Sequence, residues 1–181
     1  MSCPRLFLFA CCALLGVFAS CSSPPAVPDR GESVIFVHGL GRSPASMKTL
    51  ASRVEEAGYE VINFGYPSTS ESIEQLTERL RVEVERSCGE ERDHVHFVTH
   101  SMGGVLVRNY LSLGDSRHEG RVVMLSPPNQ GSEIIDAFSD SPRVRSILGP
   151  AAMQLGTGEG GIAKQLGPVR FSLGVIMGDR S

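Results

Sequence analysis

Residues 96–111 read HFVTHSMGGVLVRNYL, and the reading of this stretch decides the fold. The β-branched, apolar run HVHFVT (94–99) has the character of a strand, and GGVLVRNYLSLG (103–114) that of a helix closed by Gly114. Ser101 stands at the junction. An isolated serine there is an ordinary helix N-cap. Two glycines directly after it imply more, because they let the helix approach the strand closely across a tight turn.

The same alternation runs outward in both directions. SVIFVHG (33–39), YEVINFGYP (59–67), RVVMLS (121–126) and VRFSLGVIM (169–177) read as strands. SPASMKTLASRVEEAG (43–58) places Met47, Leu50, Ala51, Val54 and Ala57 at helical spacing, with Pro44 near its start and Gly58 just past its end. ESIEQLTERLRVEVERS (71–87) puts Ile73, Leu76, Leu80 and Val84 on one stripe. Strands alternating with helices predict a mainly parallel sheet in a three-layer α/β fold. Residues 129–168 carry weaker helical patches and glycine-rich breaks, which suit a lid or pocket wall. No internal repeat is visible.

The 181 residues suffice for one domain, and a net charge of −3 argues against a nucleic-acid partner. Arg5 followed by the uncharged run Leu6–Ala19 has the form of a secretory signal and is short for a membrane span. The exit Phe18-Ala19-Ser20-Cys21 resembles a bacterial lipobox, with Phe18 where leucine is usual. The expected organisation is a signal peptide (1–20), a Ser/Pro-rich tether (21–32) lipidated at Cys21, and the folded domain (33–181). That places the protein in the bacterial cell envelope, membrane-anchored; the alternative is a periplasmic or secreted form. With Cys21 acylated, Cys88 would be alone and no internal disulfide is expected.

Thr99-His100-Ser101-Met102-Gly103, between strand and helix, is the setting of a nucleophile elbow, which lifts a serine hydroxyl to the carboxyl end of the sheet at a helix N-terminus. Together with FVHGLGRSPASM (36–47) and VVMLSPPNQGS (122–132), it resembles the α/β-hydrolase superfamily, and within it bacterial lipase- and esterase-like proteins. Thr99 departs from the first glycine of the G-x-S-x-G pattern. The resemblance implies Ser101 as nucleophile and the backbone N–H groups of Leu40 and Met102 as the oxyanion hole. It implies support of the turn and loop by His38, Gly39, His100, Gly103 and Gly104, an ester substrate, and no cofactor.

The superfamily's chain order is Ser, then Asp or Glu, then His. Here the last histidine is His118, in a polar stretch before the fourth strand. His94 and His96 lie in the strand leading to Ser101; Asp136 and Asp140 read as helix surface, and Asp179 follows the last strand. Asp179 is in roughly the right region for the acid but lacks the further loop and Asp-Gly turn usual there, and no histidine lies where the base belongs. The fold is therefore expected to be C-terminally incomplete, with activity impaired and the last strand exposed at the sheet edge. The rival readings are a non-catalytic, lipid-anchored binding protein with a hydrolase fold, and an interrupted reading frame. GTGEGG (156–161) fits a dinucleotide-binding pattern only literally and reads as a flexible loop, and no histidine–cysteine cluster has metal-ligand spacing.

Overall fold

The computed structural model describes residues 31–87, 94–114 and 119–178. The proposed signal, Cys21 and most of the tether lie outside the described residues, as do Cys88, His118 and Asp179.

Five parallel strands form one sheet in the order β2-β1-β3-β4-β5: β1 Glu32–Val37, β2 Glu60–Phe64, β3 His94–His100, β4 Glu119–Leu125 and β5 Leu173–Ile176. Each is linked to the next by helical segments, as parallel pairing requires. A 3-10 turn at Pro44–Met47 leads into α1 (Lys48–Glu56); α2 is Ile73–Ser87 and α3 Met102–Ser112. The segment between β4 and β5 holds α4 (Glu133–Phe138), α5 (Pro142–Met153) and α6 (Ile162–Gln165).

β1 is buried on both faces. Ile35 and Val37 join the core under α2 and α3, while Val34 and Phe36 join a smaller cluster with Met47 and Ala51 under α1. The predicted stripe of α2 is fully realised, since Ile73, Leu76, Leu80 and Val84 are all buried. That of α1 is not. Met47 and Ala51 are buried, but Leu50 is 41% exposed and Ala57 is at the surface. The reason is geometric: α1 covers only part of its side of the sheet, so only the inner edge of its apolar face finds a partner.

The segment 129–168 packs on the same side as α2 and α3, contributing Ile135, Ala151, Ala152, Leu155 and Ile162 to the main core. It is docked through Ala151 N–H to Glu71 O (3.2 Å) and Ile73 N–H to Gln154 Oε1 (2.7 Å). α5 bends at Gly149 (φ 78°), followed by Pro150. A Cβ at Gly149 would lie 1.7 Å from Thr69 O, so only glycine permits this approach. The loop 156–161 is tied down by Asp136, whose carboxylate accepts from Thr157 N–H (3.1 Å) and Thr157 Oγ1 (2.6 Å).

The last strand is shorter than the expected 169–177. Residues paired in register with β4 are only Leu173–Ile176, with Ser172 O accepting from Val122 N–H (2.9 Å), because residues 166–171 lie against α3 before the chain joins the sheet. β5 is an edge strand of the described sheet, and Val175, Ile176 and Met177 are 45%, 60% and 63% exposed.

Candidate active site

In a doubly covered parallel sheet the loops at the carboxyl ends of the strands converge, and function gathers there. Here the ends of β1, β2, β3 and β4 meet around Ser101. Ser101 has φ 51° and ψ −123°, a conformation that an L-residue adopts at a cost of about 1–3 kcal/mol. Tertiary bonds hold it: its N–H donates to Leu125 O of β4 (2.9 Å), and its C=O accepts from Gly104 N–H (2.9 Å). The sequence pattern identified the turn; the torsions show that it is strained.

The two glycines do different work. A Cβ at Gly103 would lie 2.4 Å from Val37 O and 2.7 Å from His38 O, so α3 touches the backbone of β1 there. A Cβ at Gly104 would meet side chains only: Met124 Sδ (3.1 Å), Pro127 Cβ (3.1 Å) and Thr99 Oγ1 (3.3 Å). Thr99 itself is fully buried, and its hydroxyl has no partner among the described residues. The side chain of Met102 is fully buried in the core, so what it presents at the turn is its amide.

The loop after β1 lies against this turn. A Cβ at Gly39 would be 3.2 Å from Ser101 Cβ and 2.9 Å from His100 Nδ1. His38 is fully buried; its Nδ1–H donates to Gly39 O (2.9 Å), and its ring stacks on Tyr66 at 4.2 Å. Burial holds the His38 pKa below the usual histidine value, which favours the neutral ring. The Tyr66 hydroxyl donates to His38 O, and Gly41 N–H donates to Ser68 Oγ (2.9 Å). Tyr66 and Ser68, just after β2, therefore brace the loop that carries Leu40. Sequence reading missed both; their position after a strand end of a parallel sheet was the available signal. Among the described residues, the N–H groups of Leu40 and Met102 donate no hydrogen bond.

The structure does not bring the remaining candidates to Ser101. His100 borders a cavity of about 520 Å³ on the α1 side with Met47, Leu50 and Leu125. His94 and His96 lie toward the opposite end of β3, where His96 Nδ1 accepts from Arg121 N–H (2.9 Å) and Nε2 faces Glu32 at 3.6 Å. Asp136 is occupied by Thr157, and Asp140 is exposed between α4 and α5. No described side chain hydrogen-bonds the Ser101 hydroxyl. Ser126, which sequence reading did not single out, also has positive φ (47°), and its N–H closes the β4–β5 pairing on Ile176 O (2.8 Å).

Comparison with solved structures finds the same architecture. The mature form of a Bacillus licheniformis lipase, BlEst2, superposes with a TM-score of 0.61 at 22% identity, over 79% of this chain and 61% of that one. The metagenome-derived lipolytic enzymes LipS and LipT are represented at a TM-score of 0.61 and 22% identity, over 84% of this chain and 73% of theirs. Phospholipase PlaB from Legionella pneumophila gives 0.60 and 21%, over 75% of this chain and 34% of that one. The chain thus spans 61% of the length of the first of these and 34% of the last. No curated protein matches. The family model described as the alpha/beta hydrolase family matches residues 34–177, from β1 through the strained turn to β5. A parallel sheet with a serine at positive φ between β3 and α3, matched by that model along nearly its whole described length, makes this chain a member of the alpha/beta hydrolase family.

Proposed function

We propose that Ser101 is the nucleophile of an acyl-transfer site of esterase or lipase type. The observation that carries this reading is the held strain of Ser101 at the head of α3, beside the free N–H groups of Leu40 and Met102. In this reading the Ser101 hydroxyl attacks an ester carbonyl. The two amides and the positive end of α3 stabilise the oxyanion, the alcohol leaves, and water releases the acyl group. Solved relatives of the same fold named as lipases, lipolytic enzymes and a phospholipase support an ester substrate. A serine hydroxyl is a weak nucleophile without a base, and no described histidine reaches it. The 181-residue chain therefore turns over slowly, sustained by its oxyanion donors and by binding.

The test is a fluorophosphonate probe together with hydrolysis of a p-nitrophenyl ester, in the wild-type chain and in Ser101→Ala. Labelling at Ser101, and ester hydrolysis above that of the variant, are expected. Added imidazole, a diffusible base, should widen the gap between the two proteins. Absent labelling and identical hydrolysis with and without imidazole would leave the second reading, a non-catalytic binding protein. That reading is favoured by the absence, among the described residues, of a histidine hydrogen-bonded to Ser101.

We further infer that the protein is exported and held at the membrane by a lipid on Cys21. The Leu6–Ala19 run and Phe18-Ala19-Ser20-Cys21 support this. Palmitate incorporation should vanish in Cys21→Ser; incorporation that persists would refute the anchor.

A further inference from the structure

Arg108 lies on α3 and is only 6% exposed. Its guanidinium donates from Nη1 to Asn129 O (3.2 Å) and Oδ1 (3.1 Å), and from Nη2 to Gly167 O (2.8 Å) and Ala163 O (3.4 Å). These bonds tie α3 to the loop after β4 and to the end of α6. All four acceptors are neutral. No carboxylate pairs with Arg108 among the described residues. Neutral oxygens satisfy its donors but do not cancel its charge, and an uncompensated buried cation is costly. Burial alone accounts for the depressed pKa of the group. A staple needs donors; it does not need a net charge.

Beside Arg108 opens a cavity of about 550 Å³ between α3 and residues 166–171. Arg108, Ser112 and Arg170 supply its polar wall, and Leu111, Leu166 and Phe171 its main apolar wall. Among the described residues, no acidic side chain lines it. Arg170 is exposed and makes no ion pair among the described residues. The volume lies within the range of about 300–1,000 Å³ typical of small-molecule sites. The charge of Arg108, which its neutral partners leave uncancelled, and the guanidinium of Arg170 line one cavity with an apolar wall, a combination that matches an amphiphilic anion; the planar fork of Arg170 matches a carboxylate.

We propose that this cavity is a binding site for a small amphiphilic carboxylate, its head toward Arg108 and Arg170 and its hydrocarbon body against Leu111, Leu166 and Phe171. The site is separate from Ser101 and does not depend on any reaction there. It is tested by titration calorimetry on the full chain carrying Ser101→Ala, with octanoate and its neutral counterpart octanamide as probes. Octanoate should bind and octanamide should bind at least about tenfold more weakly. Arg170→Ala should weaken octanoate by about tenfold, the value of one charge-assisted hydrogen bond. Arg53→Ala, an exposed arginine on α1 paired with Glu56, should leave octanoate binding unchanged. No octanoate binding, equal binding of the two probes, or equal effects of the two arginine substitutions would each overturn the site. Because Arg170 and Arg53 are both exposed, neither substitution confounds binding with folding.

Discussion

Gly103→Ala is the perturbation that most directly tests the strained turn. The added Cβ would lie 2.4 Å from Val37 O and 2.7 Å from His38 O. Carbon and oxygen do not approach closer than about 3.3 Å without strain, so α3 and β1 must separate by about 1 Å. Overpacking of this kind against rigid backbone costs about 3 kcal/mol. Alanine returns about 1 kcal/mol of helix propensity, leaving a net loss of about 2 kcal/mol. In a domain of this size that lowers the melting temperature by about 4–8 °C. The displacement also carries Ser101 and the Met102 amide away from the Leu40 loop, and a 1 Å misplacement of reacting groups costs about 10²-fold in rate. The assay is urea and thermal denaturation together with the rate of fluorophosphonate labelling. Gly104→Ala is the control. Its Cβ meets only Met124, Pro127 and Thr99 side-chain atoms at 3.1–3.3 Å, which can yield by a few tenths of an ångström. It should stay within about 1 kcal/mol of wild type. A Gly103→Ala protein as stable and as reactive as wild type would refute the close approach and the reasoning built on it.

Three further outcomes are expected. Tyr66→Phe removes the donor to His38 O and should cost about 1–2 kcal/mol in urea unfolding while slowing labelling of Ser101; a silent substitution would show that the Leu40 loop is braced by other contacts. Burial holds His38 and His96 below the ordinary value of 6.5, so as pH falls through 6.5 the unfolded chain takes up protons before the folded one and stability declines. Urea midpoints at pH 8 and 5.5 should show that decline, and His38→Gln should flatten it; equal slopes in the two proteins would contradict the depressed His38. Ile176→Lys places a charge on the exposed edge strand and should raise the onset temperature of aggregation in light scattering, while changing stability by no more than about 0.5 kcal/mol; an unchanged onset would mean that the β5 edge does not drive association.

What could be read from the chain was local, and what could not was distant. The strands, the stripe of α2 and the turn at Ser101 are encoded by neighbouring residues, through apolar periodicity and glycine punctuation. The pairing Gly103-Gly104 announced a close approach but not which glycine makes it, because that depends on β1, far away along the chain. The brace from Tyr66 to His38 and the bonds from Arg108 to Asn129, Ala163 and Gly167 likewise join residues remote in sequence. Leu50 was misjudged for a related reason. Helical spacing shows which residues share a face, but not how much of that face a sheet will cover. The order of residues leads one to expect no base at Ser101, and of the histidines only His38, His94, His96 and His100 are described; none of these four hydrogen-bonds the Ser101 hydroxyl.

The strand order β2-β1-β3-β4-β5 has a consequence for how such a chain can be made. Once β1 and β2 have paired, β3 is laid against β1, and β4 and β5 each against the strand that preceded it, always on the same advancing border. No strand has to be inserted between two that are already joined. A ribosome releasing this chain could therefore add one strand at a time, each with a finished template waiting. The strained serine would be set between β3 and α3 and locked to Leu125 as soon as β4 arrives, before any later part of the chain takes its place.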